Sequence, residues 1–171
     1  MTAAKQRVDV GRAGPLSYAL AFESELDAPA AVVWDSVGTM KGVNAELSPW
    51  LRMTAPPQAA TLRIEDAPVR RPMFASWVLL RGILPIDRHY FMLAEVERGR
   101  GFLEDSTSWT QRRWQHRRYV VARGERACVL SDRLAFTPRV RASGPLLDAV
   151  IRAVFQHRHR VLRERFGGRA A

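Results

Sequence analysis

RRWQHRRYVV, residues 112–121, alternates like a β-strand but sets histidine and arginine where a buried face should be. With period two, Trp114, His116, Arg118 and Val120 share one face, and Arg113, Gln115, Arg117, Tyr119 and Val121 share the other. Neither face is purely apolar. Either the strand is solvated on both sides, or one side lines a polar interior such as a pocket.

The neighbouring segments bear on these options. From residue 74 the chain runs FASWVLL, a Gly82–Pro85 break, DRHYFMLAEVE, GFLEDSTSW, RRWQHRRYVVA and RACVLSDRLAF, with turns such as ERGRG and ARGER between them. These strand-length runs predict an antiparallel meander of about five or six strands. On the strand before 112–121, Phe102, Glu104, Ser106 and Ser108 share a face; on the strand after it, Cys128, Leu130, Asp132, Leu134 and Phe136 do. The second face is apolar except for Asp132. An unpaired buried guanidinium costs several kcal/mol or more, so an inward Arg118 needs an anion, and Asp132 is the natural counter-ion for it or for His116. The pairing would make a small polar floor in an apolar cavity, or a structural ion network that satisfies itself and touches no ligand.

Working outward, SYALAFESEL (17–26) alternates as a first half-buried strand. DAPAAVVWDSV follows, with Asp27 placed as an N-cap and Pro29 in the first turn, so a helix is expected to begin near residue 29. Gly38 and Gly42 punctuate it, and VNAELSPW supplies a second short helix ended by Pro49. In APPQAATLRIEDAPVRRPMF only TLRIE has strand alternation. After Pro138 the period changes: GPLLDAVIRAVFQHRHRVLRERFGG carries Leu147, Val150, Ile151, Val154, Val161 and Leu162 at helical spacing and stops at Gly167–Gly168. The order predicts an α+β fold, a curved antiparallel sheet wrapped around a long C-terminal helix, with two short helices after the first strand. Residues 1–16 read as a flexible tail, 17–167 as one domain and 168–171 as a C-terminal tail.

Composition limits the function. A chain of 171 residues with 47% hydrophobic content can bury one sizeable core. The single Cys128 excludes an intramolecular disulfide and a CxxC metal site. No stretch is apolar enough for a signal peptide or a membrane span, so a cytoplasmic protein without integral membrane contact is expected. The net charge of +10 would suit a polyanion, but the arginines are spread from Arg7 to Arg169, which predicts a solvated exterior and no specific nucleic-acid partner. His157 and His159 in QHRHR are two apart on a helix; metal ligands want i, i+4 spacing, so no metal is expected, and the segment reads as a solvated helix end. Neither a Gly-rich phosphate loop nor a GxSxG elbow is present, and no cofactor is called for.

FLEDSTSWTQRRWQHRRYV followed by CVLSDRLAFTPR resembles a bacterial subgroup of the START-like, or SRPBCC, superfamily, whose pattern runs F-x-D, then W-x-H-x-H-x-F, then T-x-x-x-D-x-x-x-x-x-P. Phe102 and Glu104 match the first part, Trp114 and His116 the second, Asp132 and Pro138 the third. Arg118 stands at the second histidine, Val120 at the phenylalanine, Glu104 at the aspartate, and Trp109-Thr110 where Gly-Pro is common. The order of elements resembles the superfamily from about residue 17 to 167. The resemblance implies a helix-grip fold and, as in its polyketide cyclases and lipid-transfer domains, a cavity for a hydrophobic or amphipathic small molecule.

The expected ligand-binding set is Asn44 and Glu46 at the cavity mouth, Tyr90, Phe102, Glu104, Trp114, His116, Arg118, Leu130 and Asp132 on the strands, and Val154 on the long helix. Two other readings stand beside simple binding. In a cyclase or aromatase, His116 would shuttle a proton, Asp132 would orient it and Arg118 would stabilise enolate charge. In an interaction protein, the arginine-rich exterior would dock weakly on an anionic surface.

Overall fold

The computed structural model describes residues 16–171; of the tail expected over 1–16, residues 1–15 lie outside them. Strand β1 (Tyr18–Leu26) leads to helices α1 (Ala30–Val37) and α2 (Met40–Leu47), strand β2 (Leu51–Met53) and the short helix α3 (Pro57–Ala60). The meander follows as β3 (Pro72–Leu80), β4 (Leu84–Glu97), β5 (Gly101–Ser108), β6 (Gln111–Ala122) and β7 (Cys128–Pro138). Helix α4 (Gly144–Phe166) and the two-residue β8 (Arg169–Ala170) close the chain.

All strands form one eight-stranded antiparallel sheet in the order β2-β3-β4-β5-β6-β7-β1-β8. The α+β helix-grip arrangement read from the sequence is therefore the one observed. Two apolar clusters hold it. Trp34, Val37, Leu130 and Leu162 fix α1 and the end of α4 on the sheet, while Leu20, Trp114, Phe136, Ile151 and Phe155 join the middle of α4 to β1, β6 and β7. Burying these side chains supplies most of the folding free energy, at about 25 cal/mol per Å² of apolar surface.

Local details differ from the sequence reading. Asp27 does not cap α1, whose N-cap is Pro29 without a side-chain bond. Helix α2 starts earlier than expected because Thr39 caps it, accepting from the Gly42 amide at 3.1 Å. Gly42 thus sits inside a helix, where any Cβ would collide with the Ser36 carbonyl. TLRIE is not a strand: Ile64–Asp66 forms a 3-10 turn, and Arg63 makes only an isolated bridge with Thr39. Arg169 and Ala170, expected in a tail, pair with Glu25 and Ser24 of β1.

Candidate functional site

Alternation along β6 works as the pattern demands: Trp114, His116 and Arg118 are all buried on the inner face. Register then brings the partners. Glu104 of β5 stands opposite His116, and Asp132 of β7 stands opposite Arg118. The Arg118 guanidinium is 1% exposed and Asp132 is fully buried. Nε and Nη2 of Arg118 donate to Oδ1 and Oδ2 of Asp132, both at 2.7 Å, a bidentate pair.

Two helices complete the cluster. From α2, Glu46 accepts from Nη1 and Nη2 of Arg118 at 2.9 and 3.0 Å, and from Nε of Arg158 at 2.8 Å. From α4 come Arg158, whose guanidinium lies over the Phe155 ring, and His159, which is 3.1 Å from Asp132 and 2.8 Å from the Ser24 hydroxyl. His116 is 2.8 Å from Asp132 through Nε2, and its Nδ1 faces Glu104 at 3.8 Å. Glu104 also takes His89 of β4 at 2.5 Å and the Trp114 indole N–H at 3.3 Å.

Charge fixes the ionisation of this cluster. Burial pushes the Glu46 carboxyl up, but the Arg118 and Arg158 guanidiniums more than offset it and hold it below its ordinary value. Burial opposes ionisation of Asp132 likewise, and Arg118 and His116 hold it well below the usual carboxylate range. Glu104 is lowered too, against burial, by His89 and His116. Arg118 is held above its ordinary value because Asp132 and Glu46 outweigh its desolvation. Three carboxylates thus share the interior with two guanidiniums, and the imidazoles of His89, His116 and His159 each lie within hydrogen-bond distance of one of the carboxylates.

Between sheet, α2 and α4 lies a cavity of about 340 Å³. Its walls are largely apolar, with Val43, Phe74, Phe91, Ile151 and Phe155 among them, and its polar lining includes His89, Glu104, His116, Arg118 and Arg158. Of the expected set, Phe102, Glu104, Trp114, His116, Arg118 and Val154 line the cavity. Asp132 and Glu46 do not; they sit behind Arg118 as its counter-ions. Leu130 is packed in the apolar cluster with Trp34 and Leu162. Asn44 is spent pinning β2, bonding the Met53 amide at 2.7 Å and carbonyl at 2.9 Å. Tyr90 is exposed because its neighbour His89 takes the inward position on β4.

Sequence reasoning missed His89, Arg158 and His159. The last two lie in QHRHR, read above as a solvated helix end; both are buried, because they continue the stripe of Ile151 and Phe155 by three to four residues. His157 of that segment turns elsewhere, 2.7 Å from the Ser48 carbonyl. Glu104 was the available signal for His89, since a buried carboxylate needs a partner on a neighbouring strand. Among the described residues no three His, Cys, Asp or Glu side chains are placed to hold a metal ion.

Solved structures with this architecture share the helix-grip START-like fold. A START superfamily protein from Mycobacterium smegmatis superposes with a TM-score of 0.62 at 11% identity, covering 88% of this chain and 97% of its own. The Zhui aromatase/cyclase from a Streptomyces species gives 0.64 at 10% identity, covering 85% and 90%. Norcoclaurine synthase from Thalictrum flavum gives 0.56 at 15% identity, covering 90% and 99%. The chain belongs to the family described as "Domain of unknown function (DUF8410)", whose model matches residues 24–166. No curated protein matches it.

Proposed function

We propose that the protein binds a hydrophobic or amphipathic small molecule, its apolar body against Phe74, Phe91 and Ile151 and its polar end toward His116, Arg118 and Arg158. The observation that carries this reading is the 340 Å³ cavity whose apolar walls end on a buried charge cluster. Ligand sites combine such walls with a few convergent polar groups, and a volume near the lower end of the usual range suits a compact molecule. Arg158 supports recognition of an acceptor on the ligand: its Nε and Nη2 engage Glu46, which leaves Nη1 to donate. The buried thiol of Cys128, the single cysteine, fits a reducing cytoplasm.

A second reading, a cyclase- or aromatase-type enzyme, is favoured by one observation. His89 meets Glu104 through a single ring nitrogen on the cavity wall, the pairing by which a carboxylate orients a histidine base. Native mass spectrometry of the purified protein tests the binding reading: a co-purifying small molecule is expected, released on denaturation. A molecule whose mass changes on incubation with the protein would favour the enzyme. Failure of apolar probes to enter the cavity, read as unchanged tryptophan emission, would overturn both.

A further inference from the structure

We propose that the end of the fold carrying the β3–β4, β5–β6 and β7–α4 connections docks on an anionic lipid bilayer. Turns of an antiparallel meander alternate between its two ends, so these three connections gather at one end together with the α2–β2 link. Backbone bonds tie them: the Arg81 amide to the Trp50 carbonyl at 2.7 Å, Trp109 to Arg88 at 3.1 Å and Arg139 to Thr110 at 3.0 Å.

Apolar exposure is concentrated there. Apart from Val32, Val69 and Val121, the exposed large apolar side chains of the described residues belong to this end. Ile83 at the β3–β4 tip is 82% exposed and Leu146 in the first turn of α4 is 68%, with Leu84, Trp50, Trp109 and Val140 alongside. The tip is built to project: the Ile83 amide bonds the Leu80 carbonyl at 3.2 Å across Arg81 and Gly82, both with positive φ (51° and 76°), as a tight hairpin turn requires.

This end also carries cations. Arg52, Arg81, Arg112, Arg139 and Arg141 are exposed at this end, and none forms an ion pair among the described residues. The carboxylates nearby are occupied, Asp87 by Thr110 at 2.8 Å and Asp148 by Arg152 at 3.2 Å. At the opposite end Arg98 pairs with Asp66 and Arg100 with Glu97, while Arg123 and Arg126 of the β6–β7 turn are exposed without an ion pair among the described residues, so the exposed apolar tips, more than charge, distinguish the two ends.

Aliphatic tips beside arginines that have no carboxylate partner, together with exposed Trp50 and Trp109, match a lipid interface, where apolar groups enter the acyl region and cations meet anionic headgroups. Trp50 and Trp109 offer a base a ring to stack on, but the most exposed side chains, Ile83, Leu146 and Val140, are aliphatic and suit acyl chains instead. A two-fold contact between copies would set these five arginines, none with a carboxylate partner, against five more. Ile86 and Val150 are both exposed and part of the cavity wall, so docking brings the cavity's edge to the bilayer.

The test is cosedimentation of the purified chain with vesicles of phosphatidylcholine alone or with about a quarter phosphatidylglycerol. Pelleting is expected with the anionic vesicles, falling as salt is raised. Ile83→Asp and Leu146→Asp should each weaken it by about tenfold or more, with circular dichroism unchanged, and Arg98→Gln at the other end should leave it intact. Absence of pelleting, or pelleting that survives the paired Ile83→Asp and Leu146→Asp changes, overturns the proposal. So does binding confined to polyuridylate, or a dimer in light scattering that Ile83→Asp dissolves without any vesicle binding. Cavity occupancy does not enter this readout, so an empty cavity would leave it standing.

Discussion

Arg118 and Glu46 meet 72 residues apart in sequence, the guanidinium on β6 and the carboxylate on α2 joined by two hydrogen bonds of 2.9 and 3.0 Å. Together with Asp132 this encloses one buried cation between two anions from different layers of the fold. Removing either anion strands charge in a medium that solvates it poorly. Glu46→Ala should therefore cost about 3–5 kcal/mol in urea unfolding, the penalty for breaking a buried ion pair from one side. Asp132→Ala should cost at least as much, because His116 and His159 lose their partner too. Losses below about 1 kcal/mol would mean that the cluster is hydrated in solution.

Acid should undo the same cluster. Glu46, Glu104 and Asp132 all have folded-state values below their ordinary 4.5, 4.5 and 3.8. A depressed carboxyl contributes stability that is complete above the unfolded value and is lost as pH falls through the folded one. The urea midpoint should accordingly decline from about pH 4.5 downward, and the decline should be shallower in Glu46→Gln, which removes one titrating carboxyl. A midpoint flat down to about pH 3 would contradict the assignment.

Ligand recognition can be separated from stability at β6. His116→Gln keeps a hydrogen-bonding side chain at the cavity floor, and it should weaken an apolar ligand with a polar end by about 1.5–3 kcal/mol while the protein stays folded. Arg118→Gln is the poorer probe, since it strands both Asp132 and Glu46. Arg117 is the control: it lies on the opposite face, bonded to Glu95 at 3.0 Å and to the Tyr119 hydroxyl at 2.9 Å. Arg117→Gln should shift neither affinity nor stability by more than about 0.5 kcal/mol. Trp114 lines the cavity, so its emission reports entry. A response to Arg117→Gln but not to His116→Gln would move the ligand to the outer face.

These residues also show what the sequence made legible. Period two assigned the faces of 112–121 correctly and picked Asp132 as the inward anion, because a strand's register transmits alternation to its neighbours. Glu46 and His159 reach the cluster from helices, and their meeting depends on how α2 and α4 cross the sheet, which no local spacing encodes. QHRHR misled for a related reason: charged residues at the end of a helical stripe look solvated unless the opposing sheet is known to carry a carboxylate. Asn44 was drawn toward the cavity by its position on α2, yet β2, a strand too short to announce itself, claims its side chain.

Glu46 reaches Arg118 because α2 packs closely on the end of α1, and Gly42 is what permits that approach. A Cβ at Gly42 would collide with the backbone carbonyl of Ser36, which cannot swing aside as a side chain could. Gly42 and Glu46 are one helical turn apart, so any shift of α2 that relieves the clash also moves the carboxylate. Alanine is otherwise the better helix former by about 1 kcal/mol, and on propensity alone Gly42→Ala should stabilise. The clash is expected to win, with a net loss of about 2 kcal/mol or more in urea unfolding. The loss should be coupled to the ion pair: in a double-mutant cycle, Gly42→Ala should cost less in a Glu46→Gln background, where the carboxylate's geometry no longer matters. Additive costs would confine the damage to the α1–α2 joint, and a stabilised Gly42→Ala would show that the joint has room to open.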